Sequence, residues 1–380
     1  MAKRGNGAGS IYHRKSDNKW VGSITLEDGK RKVFYGKTQK EVQDKVNEAL
    51  YEQQRGMLAT GSNATVQEYV EQWLEEVHKP TVKLSTYNHY KIVLRLYIVP
   101  GLGRIKLQSL TPQQVQTFYS KKLKEGLSPK SINNIHGLLH KALSNAVKWN
   151  ILPRNVCDAV TPPRLRRKEK TVLTPEQART LLQAIKNHRM EALLTLALVT
   201  GMRCGELLAL RWQDIDLVNC NLRVQRTVSY VKGHGRIESE PKTEKSRRQI
   251  KLPLFVVEVL TRYKTLQDEQ RGKTETWANK DLVFTNAEGD YVGVTTVREA
   301  FNRVLKEAGL PHVRFHDLRH SAATILLSRG THPKVVQEIL GHSQISMTLD
   351  VYSHVLPSMQ DDVSKRWDDD FGAGVPVPIK

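Results

Sequence analysis

The chain has 380 residues, 39% of them hydrophobic, and a formal net charge of +20 with a pI near 9.8. That length exceeds one ordinary core and predicts two or three domains. No apolar run reaches the roughly 18 residues a membrane span needs, and Cys157, Cys204 and Cys220 form neither a Cys-x-x-Cys pair nor an even set, which excludes a zinc ribbon and a disulfide framework. Met1-Ala2-Lys3-Arg4 leads into a Gly-rich polar stretch rather than an apolar core, so no signal peptide is expected and a reducing cytoplasm is the default. Basic residues outnumber acidic ones 12 to 7 in residues 1–60, 14 to 6 in 61–165 and 33 to 26 beyond. The charge is therefore not one basic tail. It points to a polyanion such as nucleic acid, because each phosphate contacted releases counterions.

Residues 1–55 read as a small sheet followed by a helix. Strands are expected over 10–15, 20–26 and 32–36, the last two joined by the hairpin signal Asp28-Gly29. Thr38 and Glu41 form a capping box for a helix to about Arg55. Trp20, Phe34 and Tyr35 supply a small core, with Arg14, Lys15, Lys19, Lys30, Arg31 and Lys32 as the candidates for phosphate. Residues 56–63, with Gly56, Gly61 and Ser62, make a linker. Helical spacing begins with Val66, Tyr69, Val70, Trp73 and Leu74. A second helix over about 85–98 is broken by Pro100-Gly101-Leu102-Gly103, and Thr111-Pro112 and Ser128-Pro129 open two more. Lys121, Lys122, Lys124, Lys130, Lys141 and Lys148 are candidates for backbone contact on this bundle. The stretch 162–170, Pro-stiffened and carrying Arg166 and Arg167, reads as a second linker that passes close to bound nucleic acid.

A third Thr-Pro start, Thr174-Pro175, opens the remaining half, and the apolar run 191–200 marks a buried helix. Gly201-Met202-Arg203-Cys204-Gly205-Glu206 follows. An arginine after a buried helix can point into a cleft, and glycines let backbone approach backbone; Arg203 could equally pair with Glu206. Strands are expected over 221–231, 237–241 and 247–252, the last two forming a hairpin whose turn holds Lys242 and Lys245. His316 and Arg319 lie three apart on one face of a helix opened by Val313-Arg314-Phe315, with Leu318, Ala322, Ile325 and Leu326 on the buried side. Pro333 opens a helix whose Val335, Val336, Ile339 and Leu340 face the core and which ends at Gly341-His342. Tyr352 stands ten residues beyond His342. One phenol, two guanidiniums and two imidazoles suit attack on a phosphodiester. The phenol must lose its proton, paired arginines hold the extra negative charge of the transition state, and imidazoles move protons or donate to its oxygens.

The order Arg203, Lys242, His316-x-x-Arg319, His342, Tyr352 resembles the tyrosine recombinases, or phage-type integrases, over nearly the whole chain. The resemblance implies an α+β multidomain fold. An arm-type DNA-binding domain (three-stranded sheet plus helix) would occupy 1–60 and a helical core-binding domain 61–165. A linker over 166–173 would lead to a mostly α catalytic domain with a small antiparallel sheet at 174–356, and a tail over 357–380 would pack on a neighbouring protomer. It further implies that Arg203 and Arg319 bind the scissile phosphate, that Glu206 supports them, and that Lys242 protonates the leaving 5′ oxygen, with Lys245 as the competing candidate. His316 would take the tyrosine proton or bond the phosphate, His342 would donate to a nonbridging oxygen, and Tyr352 would form a 3′-phosphotyrosyl link. The arginines and histidines would do what a metal does in many nucleases, so no metal or other cofactor is implied and activity in a chelator is expected. The implied partners are double-stranded DNA with core and arm sites, a homotetramer on paired sites, an excisionase and a host DNA-bending protein. The setting would be the cytoplasm of a bacterial host. Two rivals stay open: a type IB topoisomerase, and a DNA-binding regulator that kept the fold without the chemistry.

Overall fold

The computed structural model describes residues 9–25, 31–54, 64–165, 171–231, 233–240, 247–278, 280–352, 364 and 367–371; the side chains at 52–54, 351 and 352 lie outside it. Contacts divide the chain into two compact units, residues 1–167 and 168–380.

The first unit begins with an antiparallel sheet of β1 (Ser10–Arg14), β2 (Lys19–Thr25) and β3 (Arg31–Gly36), followed by helix α1 (Gln39–Gln54). The register sets Gly22 between Ile11 and Phe34, on the face that α1 covers. A Cβ at Gly22 would lie 2.6 Å from methyls of Val42 and Val46, so only glycine lets the helix lie this close. Trp20 and Phe34 join that small core as expected. Tyr35 does not: it pairs across Val21 with Tyr12 on the open face, 48% exposed. Strand alternation forces this, since Phe34 and Tyr35 are neighbours and only one can face the helix. The Asp28-Gly29 turn lies outside the described residues.

The bundle that follows contains α2 (Val66–Gln72), α3 (Leu84–Val93), α4 (Val99–Leu102), α5 (Pro112–Lys124) and α6 (Pro129–Lys148). Thr65 with Glu68 and Thr111 with Gln114 make reciprocal capping boxes, and the Ser128 hydroxyl caps α6. Seven residues of α6, from Ile132 to Ala146, form its buried stripe. The helix runs on through Pro100 and ends at Leu102, within the expected break Pro100-Gly101-Leu102-Gly103. A π turn over Leu94–Ile98 carries the chain into α4, with Pro100 in its first turn. The wider turn moves the hydrogen bonding to i→i+5, so the carbonyl that would clash with the ring is not needed as an acceptor.

In the second unit, α7 (Pro175–Ala184), α8 (Glu191–Thr200) and α9 (Cys204–Leu208) precede a sheet. Helix α8 is buried almost all round, as its apolar run predicts. The sheet joins β4 (Ile215–Asp216), β5 (Asn221–Val224) and a later strand β8 (Arg248–Lys251) in the order β4-β5-β8, while β6 (Thr227–Val231) and β7 (Gly235–Ser239) form a separate two-stranded ribbon. The expected strand 221–231 is thus split at Gln225-Arg226, where Arg226 turns to bond Asp214 at 2.7 Å. The expected hairpin of the second and third strands is likewise replaced, because β8 pairs with β5 and β7 with β6. Helices α10 (Leu254–Lys273), α11 (Val294–Glu307), α12 (Leu318–Ser328), α13 (Pro333–Leu340) and α14 (Ser346–Tyr352) complete the unit. Among the described residues no helix is long and apolar enough to cross a membrane, and the three cysteines are free thiols.

Candidate active site

Helix α8 stops because Gly201 turns left-handed, at φ 60°. A Cβ there would meet Leu340 Cδ2 at 2.4 Å, so the glycine is required both by conformation and by the approach of α13. Gly205 serves the same end: its Cβ would lie 2.5 Å from the Val228 carbonyl oxygen on β6. Between the two glycines, Arg203 is extended and starts α9. Its Nη1 donates to Glu206 Oε1 at 2.6 Å, and its backbone N–H donates to Oε2 at 3.0 Å. The guanidinium remains 37% exposed while the carboxylate is 2% exposed, so Glu206 holds Arg203 from beneath. From the other side Arg248 Nη2 reaches Glu206 Oε2 at 2.9 Å.

Arg319, in the first turn of α12, is buried and donates from Nη1 to the Gly201 carbonyl at 2.9 Å. Its Nη2 is also buried and has no hydrogen-bond partner among the described residues. A buried guanidinium donor without an acceptor is costly, and marks a place for an oxygen supplied from outside. Helix α13 ends on left-handed Gly341, which delivers His342 into the interior. The His342 Nδ1 lies 2.9 Å from Thr348 Oγ1, both residues buried, and Gln337 Nε2 donates to the His342 carbonyl at 3.1 Å. This leaves Nε2 for another partner. Thr348 belongs to α14, and position 352 comes one helical turn later on the same face. The Tyr352 side chain is outside the described residues.

His316 is not on the helix as expected. It sits in the 3-10 turn Phe315–Asp317 that precedes α12, exposed, with its ring edge-on to His320 at 5.9 Å between centroids. Lys242 and Lys245 lie outside the described residues, as do Lys30, Arg166 and Arg167. Arg14, Lys19 and Arg31 share the open face of the first sheet, where Arg14 is held by Asp17 at 2.9 and 2.6 Å and lies over the Tyr35 ring. Lys15 is exposed beyond β1. Lys32 points to the other face, over the Phe34 ring. On the bundle, Lys121 and Lys130 are exposed, Lys122 pairs with Glu125 at 2.7 Å and Lys141 donates to the Tyr90 hydroxyl at 3.0 Å. In the sequence Arg248 is only one of two adjacent arginines on a strand, with no local signal that it turns inward.

The charges act on one another. Burial, then Arg203 and Arg248, pull the Arg319 guanidinium down to about 9, against the pull of Glu206. Burial, then Arg319, Arg203, His320 and Arg248, pull His342 down to about 3. Burial alone would raise Glu206, but Arg248 and Arg203 bring its carboxyl below the usual range. Three guanidiniums around one carboxylate leave an excess of positive charge that an anion would relieve.

The His342 shift has a measurable sign. Its folded value lies below the unfolded value of about 6.5, so the unfolded chain takes up the proton first as pH falls. The stability present at pH 7 is therefore lost from about pH 6.5 downward, at up to about 1.4 kcal/mol per pH unit. The free protein should melt lower at pH 5 than at pH 7, and His342→Asn should flatten that slope. His78 and His136, lowered chiefly by burial, add to the slope in both proteins. Equal slopes would remove His342 from the account.

A family model described as "Phage integrase family" matches residues 171–359, and one described as "Phage integrase, N-terminal SAM-like domain" matches residues 65–123. The tyrosine recombinase XerC-like protein of Caldanaerobacter subterraneus subsp. tengcongensis is 33% identical over 395 residues, covering 98% of this chain and all of the relative. The ICEBs1 integrase of Bacillus subtilis (strain 168) is 29% identical over 293 residues, covering 76% of this chain and 78% of the relative. Among solved structures, the Tn1549 transposon integrase in complex with transposon right end DNA aligns with a TM-score of 0.68 at 24% identity, covering 79% of this chain and 99% of that one. At that identity the likeness shows the fold.

Proposed function

This chain belongs to the phage integrase family of tyrosine recombinases, and from that premise we propose that it integrates and excises a mobile genetic element, using Tyr352 to cut and rejoin DNA. The enzyme is a tyrosine-type site-specific recombinase. In the proposed step the Tyr352 phenol oxygen attacks a DNA phosphorus. A P–O bond to tyrosine forms at the 3′ side, the bond to the 5′ oxygen breaks, and the phenol proton passes to His316 while Lys242 protonates the leaving oxygen. The link conserves the energy of the diester, so the reverse attack by a 5′ hydroxyl on the exchanged strand religates without an added carrier.

Arg319 carries this reading. Its Nη2 is a buried donor without an acceptor among the described residues, in a group whose excess positive charge also includes Arg203. A nonbridging phosphate oxygen supplies both the acceptor and the charge. His342 supports it too. Burial keeps the ring neutral at pH 7, and a Thr348 hydroxyl donating to Nδ1 would leave Nε2–H to donate to the same phosphate. Glu206 fixes Arg203 while leaving its side chain 37% exposed.

Double-stranded DNA is the partner this assigns. The bundle at 61–165 with Lys121, Lys122, Lys130 and Lys141, and the linker with Arg166 and Arg167, would grip the core site. The sheet domain at 1–60, through Arg14, Lys15, Lys19, Lys30, Arg31 and Lys32, would grip arm sites. The catalytic domain would span 174–356, with the tail at 357–380 against a neighbour. Two duplexes and four strand cuts call for a homotetramer; an excisionase and a host DNA-bending protein would set direction. The test is a nicked suicide substrate carrying a candidate core site. Covalent trapping should proceed in excess chelator, and the crosslinked peptide should carry Tyr352. Crosslinking at another residue, or a need for magnesium in the cleavage step, would refute the assignment.

A further inference from the structure

Of the three guanidiniums around Glu206, Arg248 is the one that the chemistry above does not use. It stands at the start of β8, and its side chain is only 5% exposed, so it is not placed to touch a DNA backbone. Among the described residues, two of its donors reach two different elements. Nη2 bonds Glu206 Oε2 at 2.9 Å, and Nε bonds the Ile339 carbonyl at 2.7 Å. Glu206 is the carboxylate that holds Arg203, while Ile339 lies in the last turn of α13, three residues before His342. A planar guanidinium presents Nε and Nη at a fixed spacing, so the two acceptors are locked to each other. The helix C-terminus, with its partial negative charge, favours a cation there.

We propose that Arg248 is a positioning residue for strand cleavage, clamping the Arg203 loop to the His342 end of α13 without contacting DNA. The inference rests on the roles proposed for Arg203 and His342. Lysine cannot reproduce the clamp, because one ammonium must lie within bonding distance of both acceptors on a single nitrogen. A small misplacement of catalytic groups costs about 100-fold in rate. A purely structural arginine would behave differently: its loss would reduce how much enzyme folds, and so the amplitude of the reaction, leaving the rate constant of the folded fraction unchanged.

The experiment is single-turnover formation of the covalent adduct at saturating nicked substrate, with full-length Arg248→Gln and Arg248→Lys. Affinity is read separately by gel retardation, and Tyr352→Phe serves as the reference. The expected result is a rate constant about 100-fold lower in Arg248→Gln, partly recovered in Arg248→Lys, with amplitude and DNA affinity preserved. Rate constants equal to the parent's in either folded variant would overturn the proposal. Failure of both variants to fold would assign Arg248 to stability alone and overturn it equally. If Tyr352→Phe still forms the adduct, the reading of the site fails, whatever Arg248 does. If Tyr352→Phe is inert and Arg248→Gln is fast, only the clamp fails.

Discussion

Tyr352→Phe is expected to bind core-site DNA as tightly as the parent protein and to form no covalent adduct with it. The substitution removes one oxygen and keeps the ring. The backbone at position 352 ends α14, which is anchored one turn earlier by Thr348 against the His342 ring. That anchor does not depend on the phenol, so the helix and the cation group behind it should survive. What is lost is the atom proposed to bond phosphorus, and removal of a covalent nucleophile costs about a millionfold in rate. Gel retardation should therefore show full complex formation, and a denaturing gel should show no shifted strand. Retained affinity matters to the argument: it separates a missing reagent from a missing fold. An adduct formed at parental speed by Tyr352→Phe would mean that another group attacks the phosphodiester.

Much of this site is legible in the sequence because its geometry is local. Thr174 with Gln177 announces a helix start, and the structure has the reciprocal cap there. Gly201 and Gly341 each follow an apolar helical run, and each adopts the left-handed cap that such a glycine favours. These two glycines, with the His-x-x-Arg pair, place Arg203, Arg319 and His342 near the ends of three helices. The features that escaped are set by distant partners. Arg248 is buried because Glu206 and Ile339, 42 and 91 residues away in sequence, accept from it; the local pattern Arg247-Arg248 gives no sign of which arginine turns inward. The split of the long strand at Gln225-Arg226 follows from Arg226 reaching Asp214. At Pro100 the sequence rule of a helix break is sound, but a π turn offers another way round the ring. Tyr35 was expected in the small core by its hydrophobicity, and strand alternation overruled it.

Arg319→Met should move stability and catalysis in opposite directions. In the DNA-free protein this guanidinium is buried, repelled by Arg203 and Arg248, and has one donor without a partner among the described residues. Its loss deprives the Gly201 carbonyl of a donor, at a cost of about 1 kcal/mol. Against that stands the desolvation of a buried charge, worth several kcal/mol, which methionine of similar length does not incur. The second term is the larger, so the melting temperature should rise, by roughly 2–4 °C if the net gain is about 1 kcal/mol. His342 should titrate higher, because the Arg319 charge helps depress it, though burial will still hold it below its ordinary value. Cleavage should fall about 1,000-fold, the scale of removing one fixed donor to a charged transition state. Two outcomes would contradict this. A variant that melts much lower would show that Arg319 is a structural member of α12, with its partner outside the described residues. A variant that melts higher and cleaves as before would leave the phosphate to Arg203 alone. Only the pairing of higher stability with slow cleavage fits an arginine that the free protein holds at its own expense until a phosphate arrives.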